Sequence, residues 1–335
     1  MQKPASEYTQ VEYPFIQHLQ TLGWTILQGD TDVPYLTERD SFKDVLLKSR
    51  LREALRRINL DDAPPGGGVG QPWMEDTHLD QAVGILERLG QHGLIPNNKA
   101  ATHLLLKGTV LEGPPLHNGP FRAGGEPRTV QYIDFEHPER NDFLAINQFR
   151  VWPQWGTDHR GCIIPDIVLF VNGIPLVVIE AKSPTLENPL TEAITQLLRY
   201  SGQREDATPG GVDAPVGTGV EPEGAEQLFH YAQLTIATCM ETARLGTVGA
   251  QYRHYLEWKD PYPSTPAQVA QGLGITEDRL KSQHILAAGV LRPELLLDIV
   301  RCFTLFTEVD GREVKIVPRY QQVRAVAKAV ARLQT

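Results

Sequence analysis

Cysteine is scarce in this sequence of 335 residues. Its three cysteines, Cys162, Cys239 and Cys302, are odd in number and far apart, and no CxxC pair occurs. This usage argues against a zinc site and against a disulfide framework, and it fits a reducing compartment. We therefore expect a cytoplasmic protein.

Long apolar runs and an excess of positive charge are missing as well. No apolar run approaches the roughly 18 residues that a membrane span needs, and the N-terminus lacks the apolar core of a signal peptide. Lys and Arg total 32 against 41 Asp and Glu, which gives a net charge of −9. That balance argues against a free-standing, nonspecific nucleic-acid binder, although a local basic groove stays possible. If the protein cuts DNA, we expect another component to hold the DNA.

The most informative stretch present is residues 165–182, PDIVLFVNGIPLVVIEAK. Two apolar, β-branched segments flank Asn172-Gly173, which is a strong β-hairpin signal. The charged residues lie only at the two open ends, with Asp166 entering and Glu180 and Lys182 leaving. Because a hairpin brings its ends together, the sequence predicts that these three side chains meet.

Whether they share a face depends on the register of the hairpin. A two-residue Asn-Gly turn sets Asp166 opposite Ile179 and leaves Glu180 on the other face. A three-residue loop at 172–174 shifts the pairing by one residue and sets Asp166 opposite Glu180, with Lys182 on the same side. We predict the shifted register with the three-residue loop.

Two carboxylates and a lysine in that arrangement are typical of a phosphodiester-hydrolysing site. Mg²⁺ prefers carboxylate oxygens and is usually held by one or two acidic side chains plus a phosphate. Lys182 could orient a water or counter the charge that builds on a phosphate. Taken alone, however, the spacing is common by chance, and a buried hairpin with charges at its solvated ends is the commoner explanation.

Two predicted helices add candidate residues. Residues 9–24 have helical apolar spacing, and Glu12 lies beside the apolar stripe, where it either faces a cleft or serves as an acidic first-turn residue. A helix following Asn188-Pro189 places Gln196 and Tyr200 four residues apart. That pair is either a surface contact or a support for a lysine or a scissile phosphate.

A further predicted helix, residues 42–59, has a strongly basic polar face. A solvated face is the default interpretation, and contact with a phosphate backbone is the alternative. The basic residues are Lys48, Arg50, Arg52, Arg56 and Arg57.

Several separated stretches together resemble the N-terminal part of the R subunit of Type I restriction enzymes, whose nuclease belongs to the PD-(D/E)xK superfamily. The resemblance is found in NDFLAINQF, in the 165–182 hairpin, in the helix with Gln196-x-x-x-Tyr200, in LFHYAQLTIAT with ETARLGT after it, and in DGREVKIVPRYQQVRAVAKAVARL. It implies an α/β fold with a mixed central β-sheet flanked by helices, as in restriction endonucleases. A small helical segment leading toward a motor would follow.

The resemblance also implies roles for particular residues. Asp166 and Glu180 would be Mg²⁺ ligands and Lys182 the catalytic lysine, while Gln196 and Tyr200 match the QxxxY element of the RecB-like branch, which supports the lysine and the DNA. Glu12 is placed where such folds supply an extra acidic metal ligand. Partners would be DNA and the modification and specificity subunits.

One departure from the family limits the expected scope. RYQQ precedes an ATP-driven DNA translocase in the family, and Gln321 resembles its adenine-reading glutamine. No GxxxxGK[ST] run occurs in this sequence, so we expect ATP use only in a full-length enzyme. We predict a nuclease domain at 1–260 with an N-terminal helical elaboration, and at 261–335 a helical linker with the start of the translocase. The alternative function is a catalytically silent docking scaffold for the other subunits.

Overall fold

A computed structural model describes residues 7–61, 68, 70–90, 92–114, 125–154, 161–203 and 224–333. The strands are β1 Thr25–Gln28, β2 Thr109–Glu112, β3 Pro127–Val130, β4 Phe143–Asn147, β5 Ile167–Val171, β6 Ile174–Ala181, β7 Leu234–Thr238, β8 Ala243–Gly246, β9 Leu256–Glu257, β10 Leu305–Val309 and β11 Arg312–Ile316. The α-helices are α1 Tyr13–Thr21, α2 Lys48–Ile58, α3 Asp76–Glu87, α4 Leu94–Lys107, α5 Pro189–Tyr200, α6 Glu226–Phe229, α7 Pro266–Leu273, α8 Ser282–Val290, α9 Pro293–Phe303 and α10 Tyr320–Leu333. A π-helical turn, Tyr8–Glu12, leads into α1, and 3₁₀ turns occur at Pro34–Thr37, Pro138–Arg140, Tyr252–His254 and Glu277–Arg279.

Seven strands form a central sheet in the order β1-β4-β5-β6-β7-β8-β9. The pairs β1/β4 and β6/β7 are parallel, and the other neighbours are antiparallel. Every residue of β5, β6 and β7 is buried, as expected for strands covered on both faces by helices. The predicted mixed central sheet flanked by helices is confirmed. Within the described part of the chain, no helix is long and apolar enough to cross a membrane.

One predicted neighbour of the hairpin lies elsewhere. The alternating run TVQYIDF at residues 129–135 predicts a strand beside the hairpin, but β3 ends at Val130 and pairs with β2 in a separate two-stranded sheet. Asparagine side chains bond the backbone that follows: Gln131 donates its N–H to Asn59 Oδ1 at 2.7 Å, and Asn172 Nδ2 donates to the Tyr132 carbonyl at 2.9 Å. These bonds replace a strand ladder, so the prediction was wrong for 129–135.

The hairpin turn has two residues, Asn172 and Gly173, whose φ angles of 53° and 77° are both left-handed. Val171 pairs with Ile174 directly across the turn. This is the conformation that Asn-Gly favours, and the predicted three-residue loop is wrong. The Asn172 side chain is buried, and its oxygen accepts a hydrogen bond from the Asp142 N–H at 2.8 Å. This bond holds the turn in place.

A β-bulge inside the hairpin nevertheless shifts the register. Phe170 pairs with Pro175, whereas Leu169 pairs with Val177, so Leu176 is an extra residue on β6. Proline has no N–H to donate to a ladder, and a bulge is one of the few places in a sheet that tolerates it. The one-residue shift therefore arises at Leu176, inside the strand and not in the loop.

The shifted register brings the charged ends together as predicted. Ile167 pairs with Ile179, and one further step sets Asp166 across from Glu180. The predicted opposition of the two carboxylates is confirmed, although the shift comes from the bulge. Asp166 and Glu180 are therefore on one face of the sheet.

The helices after residue 260 are built into the same hydrophobic core as the sheet. Residues of α8 and α9 belong to that core, and Trp24 Nε1 donates to the Leu291 carbonyl at 2.7 Å. The buried Gln283 accepts from Thr238 at the end of β7 and donates to the Val11 carbonyl. The predicted boundary near residue 260 stays a prediction, and α8 and α9 pack on the part of the chain that contains the central sheet.

Gly29 lies beside β4, next to the end of the strand that leads to the hairpin, and it has no room for a side chain. A Cβ there would lie 2.2 Å from the Asn147 carbonyl oxygen and 2.7 Å from Ile146 Cγ2. We expect Gly29→Ala to lower the free energy of unfolding by about 2–3 kcal/mol, because backbone must move to admit the methyl group. Urea unfolding of the purified chain measures this change.

Gly272 supplies the matched control for that substitution. It lies in helix α7, and a Cβ there meets nothing within 4 Å. Gly272→Ala should leave stability unchanged or raise it by about 0.5–1 kcal/mol through helix propensity. Equal effects of the two substitutions would contradict the close backbone approach at Gly29.

Candidate active site

Three polar side chains form a row across three adjacent strands. Gln148 directly follows β4 and bonds its backbone N–H to the Asp166 carbonyl at 2.8 Å. The register of β5 and β6 continues the row from Asp166 to Glu180. Antiparallel pairing therefore places all three at one level of the sheet, at the open end of the hairpin.

The two carboxylates of this row are fully buried and have specific partners. Asp166 Oδ2 accepts from the Ala181 N–H at 2.6 Å, and its Oδ1 lies 3.3 Å from Gln148 Nε2. Lys182 Nζ donates to Glu180 Oε1 at 2.6 Å and to the Ala181 carbonyl at 3.2 Å. Aspartate, glutamate and lysine thus converge as the sequence predicted.

Burial of these charged side chains carries a desolvation cost. The Lys182 side chain is 12% exposed and the Glu180 side chain 0%, so their ion pair is largely removed from water. Taking charges out of water costs several kcal/mol per ion unless close partners offset the cost. Lys182 offsets part of the negative charge of the cluster.

Glu12 faces this cluster and not the solvent. It ends the π-helical turn and is fully buried, with Oε2 accepting from Gln148 Nε2 at 3.0 Å and Oε1 lying 3.4 Å from Asn147 Nδ2. The same turn of chain is fixed at a second point, where Glu7 accepts from the Ser183 N–H at 3.1 Å. Glu12 therefore turns inward toward the carboxylates, and its role there stays a prediction.

The residues of the QxxxY element bond to each other. Gln196 Nε2 donates to the Tyr200 hydroxyl at 2.6 Å on helix α5, which packs against β6 and β7. The described contacts of Gln196 include none to Lys182. The prediction that Gln196 and Tyr200 support the lysine therefore stays a prediction. Gln321 lies exposed in the first turn of α10, and its adenine-reading role also stays a prediction.

The donor set fits Mg²⁺ better than it fits a softer metal. Asp166 and Glu180 offer hard carboxylate oxygens on neighbouring strands, the kind and number of ligand that Mg²⁺ takes when phosphate and water complete its shell. Among the residues that the structure describes, no three His, Cys, Asp or Glu side chains form a metal-binding group. The residues that would hold the ion are therefore Asp166 and Glu180, with Glu12 linked to Asp166 through Gln148.

The basic face of α2 is neutralised within the chain. Each of its five basic side chains has an internal partner, as ion pairs to carboxylates or as a bond to a carbonyl. The pairs are Lys48 with Asp44 and Glu87, Arg50 with Glu38 and Asp142, Arg52 with Asp76 and Asp80, Arg56 with Asp76, and Arg57 with the Arg140 carbonyl. A DNA phosphate would have to compete with these partners, so the solvated-face interpretation is the better one.

Sequence reasoning missed two members of this site. Gln148 was part of a strand-like run and had no charge to mark it, although it stands in NDFLAINQF, one of the stretches that resemble the restriction family. Glu7 precedes the predicted helix and is buried only because the helical turn extends N-terminally to Tyr8. The sequence alone does not show that either residue lies at the site.

A mixed central sheet flanked by helices, with acidic residues and a lysine gathered at the open end of one hairpin, is consistent with the restriction-endonuclease-like class of α/β proteins. Residues 4–254 match the family model described as Type I restriction enzyme R protein N terminus, and the chain belongs to that family.

Two relatives illustrate the similarity. The Type I restriction enzyme HindI endonuclease subunit of Haemophilus influenzae is 29% identical over 327 residues, covering 96% of this chain and 26% of that protein. A Methanocaldococcus jannaschii protein, provisionally named the type I restriction enzyme MjaIXP endonuclease subunit, is 26% identical over 344 residues, covering 99% of this chain and 28% of its own length. The chain therefore spans about a quarter of the length of the relatives it matches.

Proposed function

We propose that this chain is the Mg²⁺-dependent DNA endonuclease module of a Type I restriction R subunit. The observation that supports it best is the convergence of Asp166, Glu180 and Lys182, with the ammonium 2.6 Å from the glutamate. The relatives are named as endonuclease subunits, which agrees with a hydrolytic role. The reaction would be hydrolysis of a DNA phosphodiester.

Each residue would have a separate task. Asp166 and Glu180 would hold Mg²⁺, with Glu12 as a further acidic ligand. The ion would supply Lewis acidity that lowers the pKa of a water and stabilises charge on the phosphate. Lys182 is held by Glu180 and the Ala181 carbonyl, and from there it would orient the attacking water and counter charge on a phosphate oxygen. The Ala181 N–H donates to Asp166 Oδ2 and would hold that carboxylate in place beside Glu180.

The wider setting is also part of the proposal. In a full-length enzyme, cutting would follow ATP-driven DNA translocation, and modification and specificity subunits would recognise the sequence. The net charge of −9 and the internally paired basic face of α2 accord with a module that relies on other components to hold DNA.

Calorimetric titration of the purified chain with MgCl₂ tests the metal site directly. We expect Glu180→Gln to weaken Mg²⁺ binding by at least about tenfold, because the amide keeps the size of the side chain and an acceptor for Lys182 but removes a charged ligand. Glu313→Gln on the surface of β11 is the matched control and should bind like the parent chain.

The same titration separates the nuclease from the docking scaffold. Equal Mg²⁺ binding by the parent chain and Glu180→Gln would remove this site from the proposal. Absence of binding by either, with DNA cleavage by a reconstituted full-length assembly that survives Lys182→Ala, would support the scaffold and overturn the nuclease assignment.

A further inference from the structure

Gln148 joins the carboxylates of the site through a single amide group. Its Nε2 lies 3.0 Å from Glu12 Oε2 and 3.3 Å from Asp166 Oδ1. Both neighbours are carboxylate oxygens, which only accept hydrogen bonds, so the NH₂ group must face them. Gln148 therefore bridges an acidic residue from the N-terminal helical turn to an acidic residue of the central hairpin.

The backbone of Gln148 is held in an unfavourable conformation that aims this amide. Its φ is 49°, in the left-handed region that residues other than glycine, asparagine and aspartate seldom adopt. Bonds on both sides fix it there: its own N–H donates to the Asp166 carbonyl at 2.8 Å, and the Phe149 N–H donates to the Pro165 carbonyl at 3.1 Å. Such outliers persist where the surrounding structure over-determines them, and they cluster at functional sites.

Glu12 and Asp166 repel each other when both are charged, and a positive group between them relieves the repulsion. The two N–H groups of the amide are partial positive charges in that position. A divalent cation bound to the same oxygens would use the same lone pairs, and an N–H facing a cation is repulsive. The amide and the cation therefore compete.

We propose that Gln148 is a positioning residue that stands in for the cation between Glu12 and Asp166, and that it yields those carboxylate oxygens when Mg²⁺ binds. This inference rests on the proposed Mg²⁺ site. It assigns Gln148 the task of relieving the repulsion between the two carboxylates in the free protein. Because the amide stabilises the free protein and not the Mg²⁺ complex, removing it should tighten Mg²⁺ binding.

Gln148→Gly is the sharpest variant, because glycine adopts φ near +50° freely and the amide is removed with its side chain without adding backbone strain. We expect calorimetry to show Mg²⁺ binding about tenfold tighter than in the parent chain, since hydrogen bonds to charged groups are lost from the free state alone. We also expect a lower urea midpoint without added Mg²⁺, and recovery of most of that loss at saturating MgCl₂.

Asp310→Gly is the matched control. Asp310 has a φ of 52° in the exposed β10–β11 turn, so the substitution removes a side chain from the same backbone conformation away from the carboxylates. Its effect on the urea midpoint should be the same with and without MgCl₂.

The outcomes distinguish this inference from the proposed function. If parent and Gln148→Gly bind Mg²⁺ with equal affinity, or if Mg²⁺ leaves the midpoint deficit of the variant unchanged, Gln148 has a purely structural role and the inference is overturned while the metal site stands. If Glu180→Gln binds Mg²⁺ as the parent does, the metal site itself is wrong, and the inference fails with it.

Discussion

Asp166→Asn is expected to reduce DNA cleavage by a reconstituted full-length enzyme by about a thousandfold or more, which corresponds to several kcal/mol of lost transition-state stabilisation. The asparagine oxygen can still accept the Ala181 N–H that now lies 2.6 Å from Asp166, so the hairpin should keep its shape. What disappears is the negative charge that would hold Mg²⁺ beside Glu180. Conversion of supercoiled plasmid to nicked and linear forms measures the rate.

Two comparisons make this result specific. If the full-length enzyme hydrolyses ATP as proposed, that activity should continue, because the substitution lies in the proposed nuclease module. Asp310→Asn, an exposed residue of the β10–β11 turn, should cut at the parent rate. Cleavage by Asp166→Asn within threefold of the parent would mean that the charge of Asp166 has no part in the chemistry, and the catalytic site would have to be sought elsewhere.

The pairing of Asp166 with Glu180 was predictable because it depends on local pattern. Apolar runs around Asn-Gly indicate a hairpin, and period-two alternation decides which residues share a face. The structural cause of the register shift was not predictable. A three-residue loop and a bulge at Leu176 both shift pairing by one residue, and only contacts distant in sequence, such as the Asp142 N–H to Asn172, select between them.

The parts of the site that sequence reasoning missed depend on long-range neighbours. Strand β1 is a short, half-exposed edge strand whose parallel pairing with β4 leaves little periodicity to detect. Gln148 belongs to the site because β4, β5 and β6 align it with Asp166, and because the helical turn before α1 places Glu12 above it. An uncharged residue at a strand end gives no local signal for such a role.

A buried lysine outside the site provides the second large expected effect. Lys315 in β11 is 5% exposed and donates to Asn98 Oδ1 and Gln233 Oε1, each at 2.8 Å, and to the Ala232 carbonyl at 3.3 Å. It attaches the β10–β11 hairpin to the start of β7. The backbone N–H of Gln233 in turn donates to the carbonyl of Leu176, the bulge residue of β6, at 2.7 Å.

Burial places the pKa of Lys315 well below its ordinary value, because the ammonium has left water for a site with neutral acceptors. Between the folded and unfolded pKa values the unfolded chain therefore binds more protons than the folded chain. Stability then rises with pH through this window; as pH drops it falls across the same window and levels off below the folded pKa. The slope for one proton is about 1.4 kcal/mol per pH unit.

Lys315→Met should remove this contribution while keeping the length of the side chain. We expect the parent chain to gain stability relative to Lys315→Met as pH is raised toward 10, measured as the difference between their free energies of unfolding in urea at each pH. Other titrating groups are shared by the two chains and cancel in the difference. At any one pH, loss of the buried charge raises the free energy of unfolding and loss of the hydrogen bonds lowers it. The test is therefore the slope of the difference in unfolding free energy against pH, and not its absolute value.

Lys99→Met is the matched control, because Lys99 is half-exposed and pairs with Glu313 on the same hairpin. Its difference from the parent should be small at every pH, as for other exposed ion pairs. If the parent and Lys315→Met change in parallel with pH, the lysine is not held in a charge-disfavouring site. A slope found only in the difference between the parent and Lys315→Met would instead show that this lysine is held in a site that disfavours its charge, at the contact that joins the hairpin to Gln233 before β7.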